Sequence, residues 1–181
     1  PGLDMPHLDG LAGFTHGNGL ALLLNYDADG RLTGMSTADG LTEGQDLAHD
    51  YAAADITAIT DNLDPTRNQS FDYDGVGRLT WASGPYGEID YSYDLVGNRT
   101  HRTIDDGTIT DEVYAYGAGS HRLESVTVGA SSRDFAYTAA GSTASDSRAG
   151  TPLAFAYNSA GRLESVTAAS ATPASRESSY D

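Results

Sequence analysis

Several residue types are missing or scarce in this chain, and each absence excludes a class of protein. The 181 residues contain no cysteine, so disulfide bonds and thiolate metal sites are excluded. Proline occurs only six times, which argues against a collagen-like chain or a proline-rich linker. The longest apolar run covers residues 20–24 and is far shorter than the roughly 20 residues that a transmembrane helix needs. The sequence therefore predicts no membrane insertion.

Positive charge is also scarce. Lysine is absent, and ten arginines stand against 26 acidic residues, which gives a formal net charge of -16 at pH 7. Such a charge repels nucleic acids, heparin-like polymers and anionic membranes. We therefore expect no nucleic-acid partner, and we interpret the acidic residues as a solvated surface that favours solubility.

Glycine and tyrosine are plentiful instead, with 21 and 11 residues, and they recur in one pattern. The pattern is an aromatic residue, any residue, Tyr, an Asp-like residue, two variable residues, Gly, and then Arg or Asn. Copies of differing quality cover 26–33, 71–80, 91–100, 114–119, 135–141 and 155–163. A weaker copy at 51–57 lacks the glycine.

The spacing of these copies indicates a tandem repeat. The anchor tyrosines are 20 to 25 residues apart and lie at Tyr26, Tyr51, Tyr73, Tyr93, Tyr116, Tyr137, Tyr157 and Tyr180. We divide the chain into a lead-in segment, 1–16, and a repeat array, 17–181, that stops where a further copy would begin. The first residue is not Met, and we expect the chain to be a segment of a longer protein or a processed product.

Each copy is typical of a β-hairpin. Aromatics two residues apart lie on one face of a strand, Asp at the first turn position can accept backbone hydrogen bonds, and Gly at the fourth tolerates positive φ. Arg-Leu-Thr then begins the second strand. The residues predicted to build the repeats are Tyr26, Asp27, Gly30, Tyr73, Asp74, Gly77, Arg78, Tyr93, Asp94, Gly97, Tyr116, Gly119, Tyr137, Gly141, Tyr157, Asn158, Gly161 and Arg162.

The predicted fold is all-β: tandem antiparallel hairpins that form a continuous coiled sheet, as part of a shell or fibre. Gly-, Ser- and Asp-rich stretches at 83–88, 104–108 and 129–132 are interpreted as the opposite turns of the meander. The Ala-rich stretch 47–58 is compatible with a helix, but Ile56 and the phase of the repeat favour strand.

The copies at 68–80 and 91–100, together with Gly17-Asn18-Gly19-Leu20, resemble the bacterial RHS or YD-repeat family. This resemblance implies a long β-sheet coiled into a hollow shell. In polymorphic toxins and insecticidal toxin complexes such shells enclose a toxic domain, and in teneurins a similar shell presents adhesive surfaces. The family's self-cleavage signature and a toxin domain are not recognisable in this chain.

No catalytic constellation accompanies the repeat, and we expect neither an enzyme, a cofactor nor a metal site. The segment 25–30 resembles a calcium loop, but Ser36 stands where the bidentate Glu would be required, which favours a plain turn. The acidic pairs 105–106 and 111–112 are interpreted as solvated loops rather than as a glycosidase pair. Trp81 is interpreted as packing within the aromatic ladder, although surface aromatics can also bind sugars.

Three hypotheses for function follow. The first is a structural extracellular or cell-surface element, an RHS-type shell segment or a self-assembling fibre, whose partners are further copies of the same repeat. The second is a module that binds a surface glycan or a cell-surface protein. The third is a shell segment of a polymorphic toxin that encloses a toxin domain outside this chain.

Overall fold

The computed structural model describes residues 12–39, 43–148, 151–168 and 177–179. This part of the chain forms sixteen β-strands and one 3-10 turn, with no α-helix among them. Within each of the two units described below, strands that follow one another in the chain are neighbours in the sheet. No helix in the described residues is long and apolar enough to cross a membrane.

The chain divides into two compact units. The first comprises Pro1–Asp90 and Asp105–Gly107, and the second comprises Tyr91–Ile104 and Thr108–Asp181. The strands that begin in the first unit are β1 Gly13–Thr15, β2 Ala21–Tyr26, β3 Leu32–Ala38, β4 Glu43–Ala52, β5 Asp55–Asp61, β6 Gln69–Tyr73, β7 Leu79–Gly84 and β8 Gly87–Tyr93. The 3-10 turn Pro65–Arg67 connects β5 to β6.

The second unit contains the end of β8 and the later strands. Their bounds are β9 Arg99–Asp105, β10 Ile109–Tyr116, β11 Leu123–Val128, β12 Ser131–Tyr137, β13 Thr143–Asp146, β14 Leu153–Tyr157, β15 Leu163–Ala168 and β16 Glu177–Ser179. Within each unit the pairing is antiparallel between successive strands. This is the pattern of a meander, in which short turns connect neighbours.

Burial alternates along strands β6, β8, β10 and β14, as the aromatic period predicts. In β6 the side chains of Gln69, Phe71 and Tyr73 are half-buried while Ser70 and Asp72 are exposed. One face of the sheet therefore carries the aromatic side chains, and the other carries polar ones. We call these the aromatic face and the polar face.

The sheet has very little buried core. Among the described apolar residues only Ala82 is buried, at 4% exposure, and no large side chain is fully buried. Stability must therefore come from the backbone ladder, from cross-strand pairs worth roughly 0.2–1 kcal/mol each, and from side-chain hydrogen bonds.

The sequence prediction of an all-β chain of tandem antiparallel hairpins is confirmed. The stretch 47–58, for which a helix was the alternative, forms the end of β4 and the start of β5. Strand β1 falls within the predicted lead-in segment and pairs with β2 through Phe14 and Leu22. Residues 1–11 of that segment, and the last anchor, Tyr180, lie outside the described residues.

Candidate functional site

The first feature of the repeat is its turn, which is built in the same way in three copies. At Asp27 one carboxylate oxygen accepts the backbone N–H groups of Asp29 and Arg31, both at 2.9 Å, and the other accepts Arg31 Nε at 2.7 Å. Asp74 accepts from Arg78 N at 3.0 Å and from its Nε at 2.6 Å. A single carboxylate thus closes the turn and anchors the arginine that follows it.

The third copy shows why Asn can replace Arg after the turn. The side-chain amide of Asn98 donates to Asp94 at 2.8 Å, and its backbone N–H donates to the other carboxylate oxygen, also at 2.8 Å. The amide therefore reproduces the contact of the guanidinium without its charge. The resulting turn has the same bonds, including the Gly97 N–H to Asp94 carbonyl bond of 3.2 Å.

These contacts shift the acidity of the turn carboxylates. The backbone N–H of Arg31 lowers the pKa of Asp27, and the Arg31 side chain lowers it further. Arg78 lowers the pKa of Asp74 in the same way. At Asp94 desolvation is the largest single effect and raises the pKa, but the hydrogen bonds from Asn98, Val96 and Gly97 together outweigh it and the pKa is lowered. The turns are therefore built to hold the carboxylate in its ionised form.

Three further copies, which begin at Gly117, Thr138 and Asn158, keep a backbone turn without the carboxylate. Asn158 accepts the N–H groups of Ala160 and Arg162 through its side-chain oxygen at 3.0 and 3.1 Å. Thr138 uses its hydroxyl oxygen for the N–H of Ser142 at 3.2 Å. In all six Gly-containing copies the turn glycine has φ between +69° and +93°; these are Gly30, Gly77, Gly97, Gly119, Gly141 and Gly161.

A β-bulge follows each of these turns wherever the strand register is defined. Tyr73 pairs with Leu79 and Asp72 pairs with Trp81, so one residue, Thr80, has no partner across the ladder. The same shift occurs at the anchor tyrosines Tyr26, Tyr51, Tyr116, Tyr137 and Tyr157. A bulge raises the local twist and exchanges the faces of the residues beyond it.

Four of the anchor tyrosines connect successive hairpins through their hydroxyl groups. Each of these four donates to the backbone carbonyl of the first strand residue after the preceding repeat's turn. The pairs are Tyr51 to Leu32 at 2.8 Å, Tyr116 to Arg99 at 3.0 Å, Tyr137 to Leu123 at 2.8 Å and Tyr157 to Thr143 at 2.9 Å. We call this series the tyrosine ladder. It joins residues 14 to 19 positions apart and recurs in both units.

The turns themselves also make contact from one repeat to the next. The guanidinium of Arg31 donates to the backbone carbonyl of Ala53, in the following turn. His121 Nδ1 lies 2.8 Å from the side-chain oxygen of Asn98, in the preceding turn. Consecutive turns are therefore tied to one another as well as to their own strands.

An ion-pair cluster in the second unit corrects one sequence interpretation. Arg102 donates to Glu112 at 2.7 Å, and the hydroxyl of Tyr114 donates to the other oxygen of Glu112. Desolvation opposes ionisation of Glu112, but these two hydrogen bonds lower its pKa overall, while burial and the bond to Glu112 raise the pKa of Tyr114. Asp111 and Glu112 lie within strand β10, where Asp111 is exposed and Glu112 is half-buried. The interpretation of this pair as a loop is therefore wrong, and the expectation that both are solvated is wrong for Glu112.

Arg99 lies beside this cluster and contacts two rings. Its guanidinium carbon is 4.4 Å from the ring centre of Tyr114 and 5.6 Å from that of Tyr91. Cation–π contacts of this kind contribute about 0.5–2 kcal/mol, depending on desolvation. The arginine fills the space between two aromatic side chains on a sheet that has almost no aliphatic core.

A second cluster surrounds the most buried carboxylate of the described residues. Asp146 is 3% exposed and accepts two hydrogen bonds from Arg133, from Nε and from the terminal nitrogen, each at 2.7 Å. Arg148 adds its Nε at 3.0 Å. The Arg133 hydrogen bonds lower the pKa of Asp146 strongly, with a further contribution from Arg148, against the effect of burial. Asp146 lies opposite Phe135 in the ladder, so it points to the aromatic face, where a carboxylate requires such partners.

No group of three or more His, Asp or Glu side chains in the described part of the chain is arranged to hold a metal ion. The acidic residues of the suspected calcium loop, Asp27 and Asp29, lie against Arg31 at 2.7 and 3.0 Å. Their carboxylate oxygens accept hydrogen bonds from the backbone of the turn and from the Arg31 guanidinium.

Comparisons with known proteins give a likeness of fold. No protein-family model matches the sequence, and no curated protein matches it. The structure is similar to a chain in the crystal structure of TcdB2-TccC3-TEV, with a TM-score of 0.57 at 14% identity over 94% of this chain. A second similar structure is TcdB2-TccC3 without its hypervariable C-terminal region, with a TM-score of 0.48 at 13% identity over 97% of this chain. This chain covers only 11% and 12% of those chains.

Sequence reasoning missed the bulge, the tyrosine ladder and both ion-pair clusters. The bulge has a signal in the sequence, because apolar residues after the turn are three apart rather than two, as in Leu123 and Val126 or Leu163 and Val166. The partners of Asp146 and Glu112 have no such signal, since they lie in copies that depart from the repeat.

Proposed function

We propose that this chain is a structural segment of an RHS-type β-shell, and that its partners are the adjoining repeats. The observation that carries the proposal is the tyrosine ladder, whose four bonds each join a hairpin to the one before it. Repeated contacts between neighbouring units are what a chain that extends a sheet requires, whereas an enzyme or a small binding domain does not need them.

The outer strands support the same role. An open meander leaves unpaired backbone N–H and C=O groups along its first and last strands, and such edges pair readily with further strands. The fold likeness to TcdB2-TccC3-TEV extends over 94% of this chain but only 11% of the larger one. That proportion is what a repeated wall segment within a larger protein would give. We place the protein outside the cell or at its surface, and we assign it no enzymatic activity of its own.

The test is to express this chain together with the sequence that flanks it in its gene and to determine the structure by cryo-electron microscopy. We expect residues 21–168 to form adjoining strands of one wall, with further strands paired on both sides. A module with free edges on both sides, attached to the rest by linkers, would reject the proposal.

Self-assembly is a separate outcome and needs the isolated chain. Negative-stain microscopy at high protein concentration would show filaments if strand edges of different copies pair. Monomers under those conditions would restrict the partners to repeats of the same polypeptide.

A further inference from the structure

The only tryptophan of the chain lies between two carboxylates on the polar face of the first unit. Trp81 in β7 is directly opposite Asp72 in β6 and directly opposite Asp90 in β8. Directly opposite residues of an antiparallel ladder point to the same face, with Cβ atoms about 4.5–5.5 Å apart. Asp72 and Asp90 are exposed and Trp81 is half-buried.

The bulge explains why the tryptophan is there. Period two would place Leu79 and Trp81 on one face, and the expectation from the sequence was that Trp81 packs in the aromatic ladder. The extra residue, Thr80, moves the register, so that Leu79 and Ala82 lie on the aromatic face and Trp81 points the other way. A ring on the polar face takes no part in the packing of the aromatic face.

The surroundings of Trp81 are acidic and hydroxylic. The neighbouring pair on the same face is Ser83 with Glu88, and Ser70 lies opposite Ser83 from the other side. In the described residues no arginine lies over the Trp81 ring, although arginines lie over rings of Tyr51, Tyr114 and Phe135. Trp is the aromatic side chain that attracts cations most strongly.

The charge of the unit also favours a cationic partner. The first unit holds three arginines against seventeen acidic residues, a net charge of -14, and the second holds seven against nine, a net charge of -2. Each arginine of the first unit is already paired with a turn or cap carboxylate: Arg31 with Asp27, Arg67 with Asp64 and Arg78 with Asp74. None of the three arginines is therefore available to neutralise Asp72 and Asp90 beside Trp81.

We propose that Asp72, Trp81 and Asp90 form a binding site for an ammonium or guanidinium group of a basic polypeptide segment. The cation lies over the indole ring, and the two carboxylates accept its hydrogen bonds from either side. The proposal concerns a partner on the polar face and stands independently of the shell assignment.

The test uses the intrinsic fluorescence of the full 181-residue chain, in which Trp81 is the sole tryptophan. The protein is titrated with a penta-arginine amide and, separately, with a neutral Gly-Ser peptide of equal length. We expect a saturable change in emission with the arginine peptide alone. The affinity is expected to fall with added salt, because exposed charges are screened.

The decisive variant is the double substitution Asp72→Asn and Asp90→Asn, which retains shape and the fluorophore. Its affinity for penta-arginine is expected to be weaker by about three- to tenfold. The control is Asp134→Asn with Glu164→Gln, which removes two charges from exposed residues that are not paired with Trp81 in the ladder. That control should change the affinity by less than about twofold, because it leaves both carboxylates beside the indole in place.

Three results would overturn the proposal. Equal weakening in the two double variants would show attraction by net charge without a site. An absence of any emission change with penta-arginine would show that no cation reaches Trp81. A response to neutral maltoheptaose without one to penta-arginine would instead identify a sugar platform.

Discussion

The phenolic hydroxyl of Tyr116 donates a hydrogen bond of 3.0 Å to the backbone carbonyl of Arg99. Arg99 is the first strand residue after one turn, and Tyr116 is the last strand residue before the next. The bond therefore joins two hairpins at the edge where their turns lie. Because the described sheet buries hardly any apolar side chain, bonds of this type carry a larger part of its stability than they would in a domain with a packed core.

The tyrosine ladder predicts the effect of removing one hydroxyl. Tyr137→Phe keeps the ring but removes the donor to the Leu123 carbonyl, 2.8 Å away. We expect a loss of about 0.5–1.5 kcal/mol in the free energy of unfolding, measured by urea denaturation. Tyr91→Phe is the matched control, since the Tyr91 hydroxyl has no hydrogen bond among the described residues. Equal losses in the two variants would show that the ladder bond contributes nothing specific.

The fold could be predicted from the sequence because its signals are local. Aromatic residues two apart and the sequence Asp-x-x-Gly each act within one hairpin, and Asp74 with Gly77 shows both the accepted backbone bonds and the positive φ that such turns require. Trp81 could not be placed in the same way. Its face depends on the extra residue Thr80, and a one-residue shift reverses every side chain beyond it.

The ion-pair clusters could not be predicted, because their partners are distant in sequence and lie in degenerate copies. Arg133 and Asp146 are thirteen residues apart on strands whose turn has neither Asp nor Arg. The pairing of Phe135 with Asp146 places the carboxylate on the aromatic face. The face on which Asp146 lies follows from the register between β12 and β13, and the repeat pattern does not determine that register.

The Asp146 cluster predicts a large effect for a small change. Asp146→Asn places a neutral amide beside Arg133 and Arg148. The amide nitrogen, unlike the carboxylate oxygen that it replaces, cannot accept a hydrogen bond. We expect a loss of about 1–3 kcal/mol in the free energy of unfolding at pH 7, since a buried carboxylate with charged partners is involved. Asp134 is an exposed neighbour whose carboxylate accepts hydrogen bonds from the hydroxyls of Ser132 and Ser147. Asp134→Asn should change the stability by less than about 0.5 kcal/mol.

The same variant predicts a pH dependence with a definite sign. The pKa of Asp146 is lowered in the folded protein, so the unfolded chain binds the proton more readily. The stabilisation is complete above the unfolded pKa of about 4 and is lost as pH falls towards the folded value. The difference in stability between the wild type and Asp146→Asn should be constant above about pH 5 and shrink below about pH 4. A constant difference down to pH 3 would contradict the lowered pKa.

The turn geometry predicts an order of stability for two substitutions at Asp74. Asp74→Asn keeps the side-chain oxygen that accepts from Val76 and Arg78, and the natural turn at Asn158 already works in this way. Asp74→Ala removes both the acceptor and the ion pair with Arg78. We therefore expect the thermal midpoint to fall more with Ala than with Asn. Equal losses in the two variants would show that the arginine contact, and not the backbone bonds, determines the turn.

Gly87 predicts where a methyl group cannot be tolerated. Its φ is +89°, and a Cβ atom there would overlap the backbone carbonyl of Asp105. We expect Gly87→Ala to lower the free energy of unfolding by about 1–3 kcal/mol, because strain and overlap act together. Gly75→Ala is the control: nothing lies within 4 Å of its Cβ position, and its effect should stay within about 0.5 kcal/mol.

The turn between β4 and β5 predicts a stabilising substitution. Ala53 has φ of +53° and is the only residue other than glycine with positive φ in the described part of the chain. An L-residue with a Cβ is strained in this region by about 1–2 kcal/mol, and glycine is not. We expect Ala53→Gly to raise the free energy of unfolding by up to about 1 kcal/mol in urea denaturation. Ala54→Gly, at the next position and without positive φ, should lower it by about 0.4–1 kcal/mol, because glycine only adds entropy to the unfolded chain there. Because the two neighbouring substitutions are identical in chemistry, opposite signs would establish that the backbone conformation of Ala53 causes the gain, and the same sign in both would refute it.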